Sequence, residues 1–210
     1  MTNTPYRTAD LIPPDSSTLN DVSEEVPLEA IHSDDIQTLI DRMLEIGHGE
    51  QGNAERPTLV GLAAPQLGVN KRIILVGTDA TGAGGAPHLQ VFINPVITYA
   101  SHDTTSDREG CYSTGRVCGI VERSRSVHIR GYDRAGNEVD LTANDFPARI
   151  FQHEIDHLNG IRFPERITDP TRLHWVPAEQ FGDYRRNWQT WAQYCPRERW
   201  LAIKNGNGEH

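Results

Sequence analysis

The segment His153-Glu154-Ile155-Asp156-His157 constrains this chain more than any other part of its sequence. It lies in a predicted helix that Asp145 can cap, and Gly160 follows the helix at a place where a left-handed residue is common. Histidines four residues apart share one helical face, about 6 Å from each other, so both can bind one metal ion. The intervening Glu154 can accept a proton from a water that such an ion activates. The segment therefore predicts a hydrolytic metal site on a helix.

Two ordinary helix histidines beside a solvated glutamate would have the same spacing. The complete five-residue pattern, its helical context and the neighbouring Gln152 favour a metal site. In metalloproteases with this motif, the third ligand is usually a downstream histidine or glutamate. Here His174 is the only downstream histidine before the terminal residue, and it lies outside the extended three-histidine spacing. A generic zinc protease would therefore lack its third ligand, although chelator-sensitive cleavage of casein would revive that hypothesis.

The composition limits the partners that the chain can bind. With 210 residues it can bury one substantial core, and its formal charge of −9 argues against a nucleic-acid surface or a polybasic membrane patch. Residues 1–25 contain one basic residue, Arg7, and no apolar run, so we expect neither a secretory signal nor a transit peptide. The three cysteines are an odd, sparse set, which predicts reduced thiols in a cytosolic compartment and a thiol available to a metal. They are Cys111, Cys118 and Cys195.

The chain divides into three parts of a single predicted domain. Residues 1–32 contain prolines and scattered acids without a strong period, which predicts an extended arm. Residues 33–166 are expected to form the catalytic domain. Residues 167–210 are expected to be a Trp-rich extension packed on the same domain, with a disordered end.

Strands followed by the key helix predict an α+β fold. Apolar residues at helical spacing predict a first helix from Ser33, with Gly47 as its stop. A buried strand is predicted over residues 72–76 and a second strand over residues 89–93, ended by Asn94-Pro95. Alternating apolar residues from Val127, followed by a polar turn, predict an antiparallel hairpin.

Three segments, in chain order, resemble the signature motifs of the peptide deformylase family. They are Val60 to Gln66, Glu109-Gly110-Cys111-Tyr112-Ser113, and Gln152 to Gly160. The third match is complete at its defining positions, and the resemblance runs at least from Ser33 to about Arg166. It implies small antiparallel or mixed sheets packed around a central metal-binding helix.

The resemblance also implies the ligands of the metal. Cys111, His153 and His157 would bind it, with a water in the fourth position. Family members characteristically use Fe²⁺, with Zn²⁺, Ni²⁺ or Co²⁺ as substitutes, and a site of mixed nitrogen and sulfur ligands admits all of them.

The same resemblance assigns catalytic roles. Glu154 would act as general base and then as general acid, while Gln66 would donate its side-chain amide, and Tyr112 its backbone N–H, to the formyl oxygen. One thiolate and two imidazoles leave the site with one net positive charge, which polarises a carbonyl less than three nitrogen ligands would. Additional donors to the developing oxyanion are therefore useful.

Substrate contacts are implied as well. Gly61 would bind the substrate backbone, and an apolar pocket for a methionine side chain would lie beside the metal at Val60, Phe146 and Ile150. For Phe146 and Ile150, core packing explains the apolar character equally well.

The implied reaction removes the formyl group of N-formylmethionyl peptides and releases formate. The implied partners are nascent chains, with a transient ribosome contact, in the cytoplasm of a bacterium. We expect no direct binding to nucleic acid or to a membrane.

Several positions depart from the family pattern and bear on the substrate. Leu59 stands where glycine is usual, Tyr112 where leucine is usual, and Cys118 where an arginine helps to hold the peptide. Arg116 could replace that arginine or be a solvated loop residue, and Cys118 is expected to be a buried thiol.

Two other hypotheses therefore stay open. One is a related amidase acting on a different N-formyl or N-acyl substrate, and the other is a catalytically silent protein that binds peptide N-termini. Outside the substrate contacts, Asp156 is expected either to pair with Arg123 or to face water.

Overall fold

The computed structural model describes residues 11–51, 59–84 and 87–208. Most of the helices and strands in these ranges belong to residues 59–175. The elements are α1 (Asp34–Gln51), β1 (Gly61–Ala63), β2 (Ile73–Gly77), β3 (Leu89–Ala100), β4 (Thr104–Gly110), β5 (Val117–Ser124), β6 (Ser126–Tyr132), β7 (Glu138–Asn144), α2 (Asp145–Leu158), β8 (Leu173–Trp175), α3 (Phe181–Asn187) and α4 (Arg197–Lys204).

Two antiparallel sheets and the helix α2 form the centre of the molecule. A five-stranded sheet has the order β1-β2-β3-β6-β7, and a three-stranded sheet has the order β4-β5-β8. The apolar side of α2 packs on the larger sheet, where Phe151, for example, meets Phe92 of β3 edge to face at 4.8 Å between ring centroids. The predicted α+β class is confirmed, and the predicted hairpin is the pairing of β6 with β7.

Two predicted boundaries are wrong. The helix α1 continues through Gly47 to Gln51 instead of stopping there. A methyl group on Gly47 would lie 2.4 Å from Cδ1 of Leu89, so this glycine allows close packing of the helix on the sheet. Asn94-Pro95 does not end its strand either, because β3 accommodates the pair by a shift in its register with β6 and continues to Ala100.

The ends of α2 fit the predicted helix closely. The N-cap is Asn144 instead of Asp145, which is the first helical residue and has a φ of 51°. At the other end, Gly160 has the predicted left-handed backbone with φ of 68°. A methyl group there would also lie 2.4 Å from the backbone oxygen of Asn20, so glycine is required both by conformation and by the close approach of the N-terminal segment.

The last forty or so residues contribute buried side chains. The short strand β8 pairs with β5, and Trp200 of α4 is fully buried in a cluster with Val117 and Phe163. The predicted disordered end falls partly on residues 209–210, which lie outside the described ranges. The division of the chain at residues 32 and 166 remains a prediction.

Within the ranges described, no helix has both the length and the apolar character needed to cross a lipid bilayer.

Candidate active site

Cys111, His153 and His157 come together at one place. The two histidines lie on one face of α2, with ring centroids 5.1 Å apart, and the cysteine follows the last residue of β4. One ligand atom from each of the three residues lies within 4.8 Å of the others. The structure therefore brings together the three predicted ligands from two segments more than forty residues apart in sequence.

The geometry and chemistry of this cluster suit a tetrahedral ion. Sγ of Cys111 lies 3.3 Å from Nε2 of His157. Two ligands about 2.1–2.3 Å from a tetrahedral ion are expected to be about 3.5 Å apart. Burial alone would raise the pKa of the Cys111 thiol, but the neighbouring imidazoles of His157 and His153 hold it well below its usual value. A thiolate and two imidazoles are a fitting donor set for Fe²⁺ or Zn²⁺.

Glu109 fixes the orientation of His153. The carboxylate is an acceptor only, so Nδ1 of His153 donates to Glu109 Oε2 over 2.9 Å and leaves Nε2 for a metal. Arg123 donates to both carboxylate oxygens at 3.0 Å, and Arg149 donates to Oε1 at 2.8 Å. Glu109, Arg123 and Arg149 are each at most 6% exposed. The carboxylate of Glu109 is therefore a buried anion whose two oxygens both accept hydrogen bonds. The motif Glu109-Gly110-Cys111-Tyr112-Ser113 does not by itself indicate this role, because the contact of Glu109 with His153 joins residues 44 apart in sequence.

Arg123 also connects the metal-binding helix to the smaller sheet. Its Nη1 donates to Asp156 Oδ2 at 2.5 Å, which confirms the predicted ion pair. Asp156 accepts a second guanidinium, that of Arg166, at 2.5 Å. Arg123 thus bridges two buried carboxylates, Glu109 of β4 and Asp156 of α2.

The side chain of Glu154 is buried, with 5% of its surface exposed. Burial raises its pKa to about 7 in the metal-free protein. Among the described residues, Oε2 of Glu154 has no hydrogen-bond partner. A methyl group on Gly61 would lie 2.4 Å from Glu154 Oε1 and 2.8 Å from Cγ2 of Ile150, so β1 passes directly over this carboxylate. An unpartnered carboxylate in such a place is a candidate general base.

Gln66 directs its amide nitrogen toward the metal cluster. The backbone N–H of Ala63 donates to Gln66 Oε1 at 2.8 Å, which fixes which end of the amide is the oxygen. The nitrogen Nε2 then lies 3.2 Å from Ser113 Oγ and 3.4 Å from Cys111 Sγ. The side chain is 4% exposed. Gln66 is therefore a preorganised hydrogen-bond donor beside Cys111, a candidate metal ligand.

Tyr112 begins a single 3-10 turn directly after Cys111. Tyr112 is 38% exposed, and its backbone N–H belongs to the peptide bond that directly follows Cys111. Its role as an oxyanion donor stays a prediction.

The residues predicted to line the substrate pocket share one apolar cluster. Val60, Phe146 and Ile150 all belong to it, and Phe146 packs on Gly82. An open cavity of about 270 Å³ lies against Phe146, and its other walls are largely polar. They are formed by Thr81, Gly82, Thr105, Asp107, Asp145 and Arg149.

Neither Arg116 nor Cys118, the two positions that differ from the family pattern after Ser113, belongs to the cluster of three candidate ligands, although Cys118 pairs across the strands with Gly110, the residue before Cys111. Cys118 is buried against Tyr184 and Val176, and burial raises the pKa of its thiol to about 12, so it is the buried thiol that was predicted. Arg116 is exposed, with its guanidinium carbon 5.9 Å from the ring centroid of Trp175.

Comparisons with known proteins give a consistent result. A family model described as polypeptide deformylase matches residues 10–173. A peptide deformylase from Pelotomaculum thermopropionicum is 40% identical over 162 residues, which cover 77% of this chain and 91% of the relative. A class I type b peptide deformylase from Acinetobacter baumannii superposes with a TM-score of 0.66 at 33% identity, covering 75% of this chain and 97% of that one. The same Acinetobacter protein is known with Met-Ala-Ser bound, and that structure has a TM-score of 0.65 and 32% identity.

Proposed function

The chain belongs to the peptide deformylase family, and from this premise we propose how its residues remove the formyl group from the N-terminus of N-formylmethionyl peptides. The observation that carries the proposal is the convergence of Cys111, His153 and His157 beside the buried Glu154 and the amide of Gln66. Hydrolysis of a formamide needs an activated water, a proton carrier and an oxyanion donor, and these residues can supply all three functions.

The metal would be held by Sγ of Cys111 and the Nε2 atoms of His153 and His157. An ion bound there supplies Lewis acidity and lowers the pKa of water. We propose Fe²⁺ as the physiological ion, with Zn²⁺, Ni²⁺ or Co²⁺ as substitutes, since the mixed nitrogen and sulfur donor set suits all four.

Glu154 carries the proton. Its carboxylate accepts a proton from the attacking water and later delivers it to the departing amine nitrogen, so formate and a free amino terminus are released. One feature supports this role: Oε2 of Glu154 has no competing partner in the described structure, so it is available to accept a proton.

Gln66 binds the oxygen of the formyl group as negative charge develops on it. Its Oε1 is held by the Ala63 N–H, so Nε2 donates without reorganisation of the side chain. The backbone N–H of Tyr112 is the proposed second donor. Because β1 is an edge strand of its sheet, its residue Gly61 can pair with an extended substrate backbone.

The first side chain of the substrate is proposed to contact Val60, Phe146 and Ile150. Phe146 and Ile150 lie on α2 on the N-terminal side of His153 and belong to one apolar cluster, which supports a contact with an apolar first side chain. A thioether side chain such as methionine fits an apolar surface of this kind.

We place the protein among the enzymes that process nascent chains in the bacterial cytoplasm, with at most a transient contact to the ribosome. The overall charge of −9 supports the absence of a direct nucleic-acid surface.

The test is release of formate from formyl-Met-Ala-Ser by protein loaded anaerobically with Fe²⁺. The matched control is Glu154→Gln, which keeps the shape of the side chain and removes its proton-carrying function. We expect turnover by the wild-type protein and a loss of at least about 10²-fold in kcat in the variant. Equal activity in the two proteins would contradict the proposed role of Glu154.

A related amidase with a different acyl substrate is favoured by one observation. The cavity beside Phe146 has polar walls that include Asp107 and Thr105. A substrate panel separates the two functions: kcat/KM should be highest for formyl-Met peptides, and a higher value for acetyl-Met or for formyl peptides with a polar first residue would favour the alternative.

A further inference from the structure

Arg162 is a fully buried arginine that connects both ends of the described chain to the loop after Cys111. Its Nη1 donates to the backbone oxygen of Ser113 at 3.0 Å and to that of Pro14, and its Nη2 donates to Asn20 Oδ1 at 2.9 Å. On the other side, its guanidinium carbon lies 4.7 Å from the ring centroid of Trp200. One side chain thus contacts the N-terminal segment, the cysteine loop and α4.

The charge of Arg162 is buried without a matching carboxylate. In the described part of the chain its guanidinium forms no ion pair within 4.0 Å, although the charges of Glu165 and Cys111 act on it from a greater distance, and burial lowers the pKa of the group. An apolar side chain of similar length would avoid this desolvation cost. It would also leave the oxygens of Ser113 and Pro14 without these donors, so the arginine fixes the positions of the segments that supply them.

Ser113 connects Arg162 to the catalytic amide. Its backbone oxygen accepts from Arg162, while its hydroxyl oxygen accepts from Gln66 Nε2 at 3.2 Å. The N-terminal segment reaches the same glutamine from the other side, because the N–H of Ile12 donates to the backbone oxygen of Gln66 at 2.9 Å. Both the backbone and the amide of Gln66 therefore depend on segments that Arg162 joins.

We propose that Arg162 is a positioning residue that holds Ser113, and through it the side-chain amide of Gln66, in the geometry needed to bind the oxyanion. This inference rests on the proposed function of Gln66. The segments around Pro14, Asn20 and Trp200 enclose the side chain of Arg162. Their role under this proposal is to exclude water from the guanidinium.

The test compares Arg162→Met and Arg162→Lys with Asn20→Ala. The alanine variant removes one contact to the N-terminal segment but keeps the contact from Arg162 to Ser113. Two quantities are measured well below the unfolding temperature. One is kcat and KM for formyl-Met-Ala-Ser, and the other is the ¹⁵N side-chain amide signal of Gln66 in metal-free protein, assigned by its absence in Gln66→Glu.

We expect Arg162→Met to lower kcat by about tenfold with KM within about twofold, because complete removal of an oxyanion donor costs about 10²–10³ in kcat and a displaced donor keeps part of its effect. The Gln66 amide signal should shift in this variant, and Arg162→Lys should restore part of both properties. Asn20→Ala should lower the melting temperature and leave kcat and the amide signal unchanged.

A merely structural role would give a different result. If Asn20→Ala lowers kcat as much as the Arg162 variants, or if the Gln66 signal is the same in all proteins, the positioning role is wrong. Wild-type protein without deformylase activity would contradict the proposed function instead, and the amide signal of the metal-free protein would still decide the role of Arg162.

Discussion

Nδ1 of His153 donates to Glu109 Oε2 over 2.9 Å, so a proposed metal ligand on α2 is oriented by the strand that leads to Cys111, the proposed cysteine ligand. Glu109 and Cys111 are two residues apart, so the same short segment would supply one ligand and orient another. The guanidinium groups of Arg123 and Arg149 balance the charge of Glu109. The proposed metal centre therefore depends on a buried ionic network as well as on the helix α2.

Glu109→Gln should weaken metal binding. The amide oxygen can still accept from His153, but it cannot neutralise the two arginines or raise the basicity of the imidazole. We expect the dissociation constant for Zn²⁺, measured by competition with a chromophoric chelator, to rise by about 10- to 100-fold. Glu122→Gln is the control, since Glu122 is an exposed residue of the same sheet, and it should bind Zn²⁺ as the wild type does.

Gly61→Ala should impair catalysis more than folding. The added methyl group would lie 2.4 Å from Glu154 Oε1, so the carboxylate must move away from its position beside the metal site. A displacement of about 1 Å can cost about 10²-fold in rate, and we expect a loss of this size in kcat. Gly182→Ala, whose methyl group would have 3.8 Å to its nearest neighbour, should retain full activity. A Gly61→Ala enzyme with wild-type kcat would show that Glu154 is placed differently.

Arg123→Met should destabilise the fold strongly. The change leaves Glu109 and Asp156 as buried carboxylates that lack one of their guanidinium partners. Loss of one member of a buried ion pair costs about 3–5 kcal/mol, which should appear as a lower free energy of unfolding in urea. Arg125→Met removes exposed ion pairs with Asp103 and Asp145 and should change the urea midpoint little. Similar midpoints for the two variants would mean that the buried network contributes little to stability.

Cysteine alkylation should distinguish the three thiols. In metal-free protein, iodoacetamide should modify Cys111 first, because Cys118 and Cys195 are 2% and 1% exposed and burial raises the pKa of both thiols. Bound metal should protect Cys111, so the loaded protein should stay unmodified at all three positions. Peptide mapping by mass spectrometry measures each site, and early modification of Cys118 would be inconsistent with its burial.

The sequence was most informative where the relevant interactions are local. The spacing of His153 and His157 is a property of one helix, so it predicted their shared face without knowledge of the sheets. The contact between Glu109 and His153 joins residues 44 apart, and the three segments around Arg162 are farther apart still, so no local pattern indicated them. The one local indication of a buried role for Arg162 is its position between two apolar residues, Ile161 and Phe163.

The two wrong predictions of where an element ends, at Gly47 and at Asn94-Pro95, also result from contacts between residues far apart in sequence. Gly47 was interpreted as a helix stop because glycine is a poor helix former, but its packing against Leu89 overrides that preference. Asn94 is held in its left-handed backbone conformation by two hydrogen bonds between its side chain and the backbone of Val26. Neither Leu89 nor Val26 is a sequence neighbour of the residue whose conformation it determines.

The most direct test of the metal centre is X-ray absorption spectroscopy of the protein loaded with one equivalent of Zn²⁺. If Cys111, His153 and His157 are the ligands, the spectrum should fit one sulfur at about 2.3 Å and two imidazole nitrogens at about 2.0–2.1 Å. The sulfur shell should disappear in Cys111→Ser and persist in Cys118→Ser. A spectrum without sulfur in the wild-type protein, or one whose sulfur shell is lost on substitution of Cys118, would contradict the proposed centre.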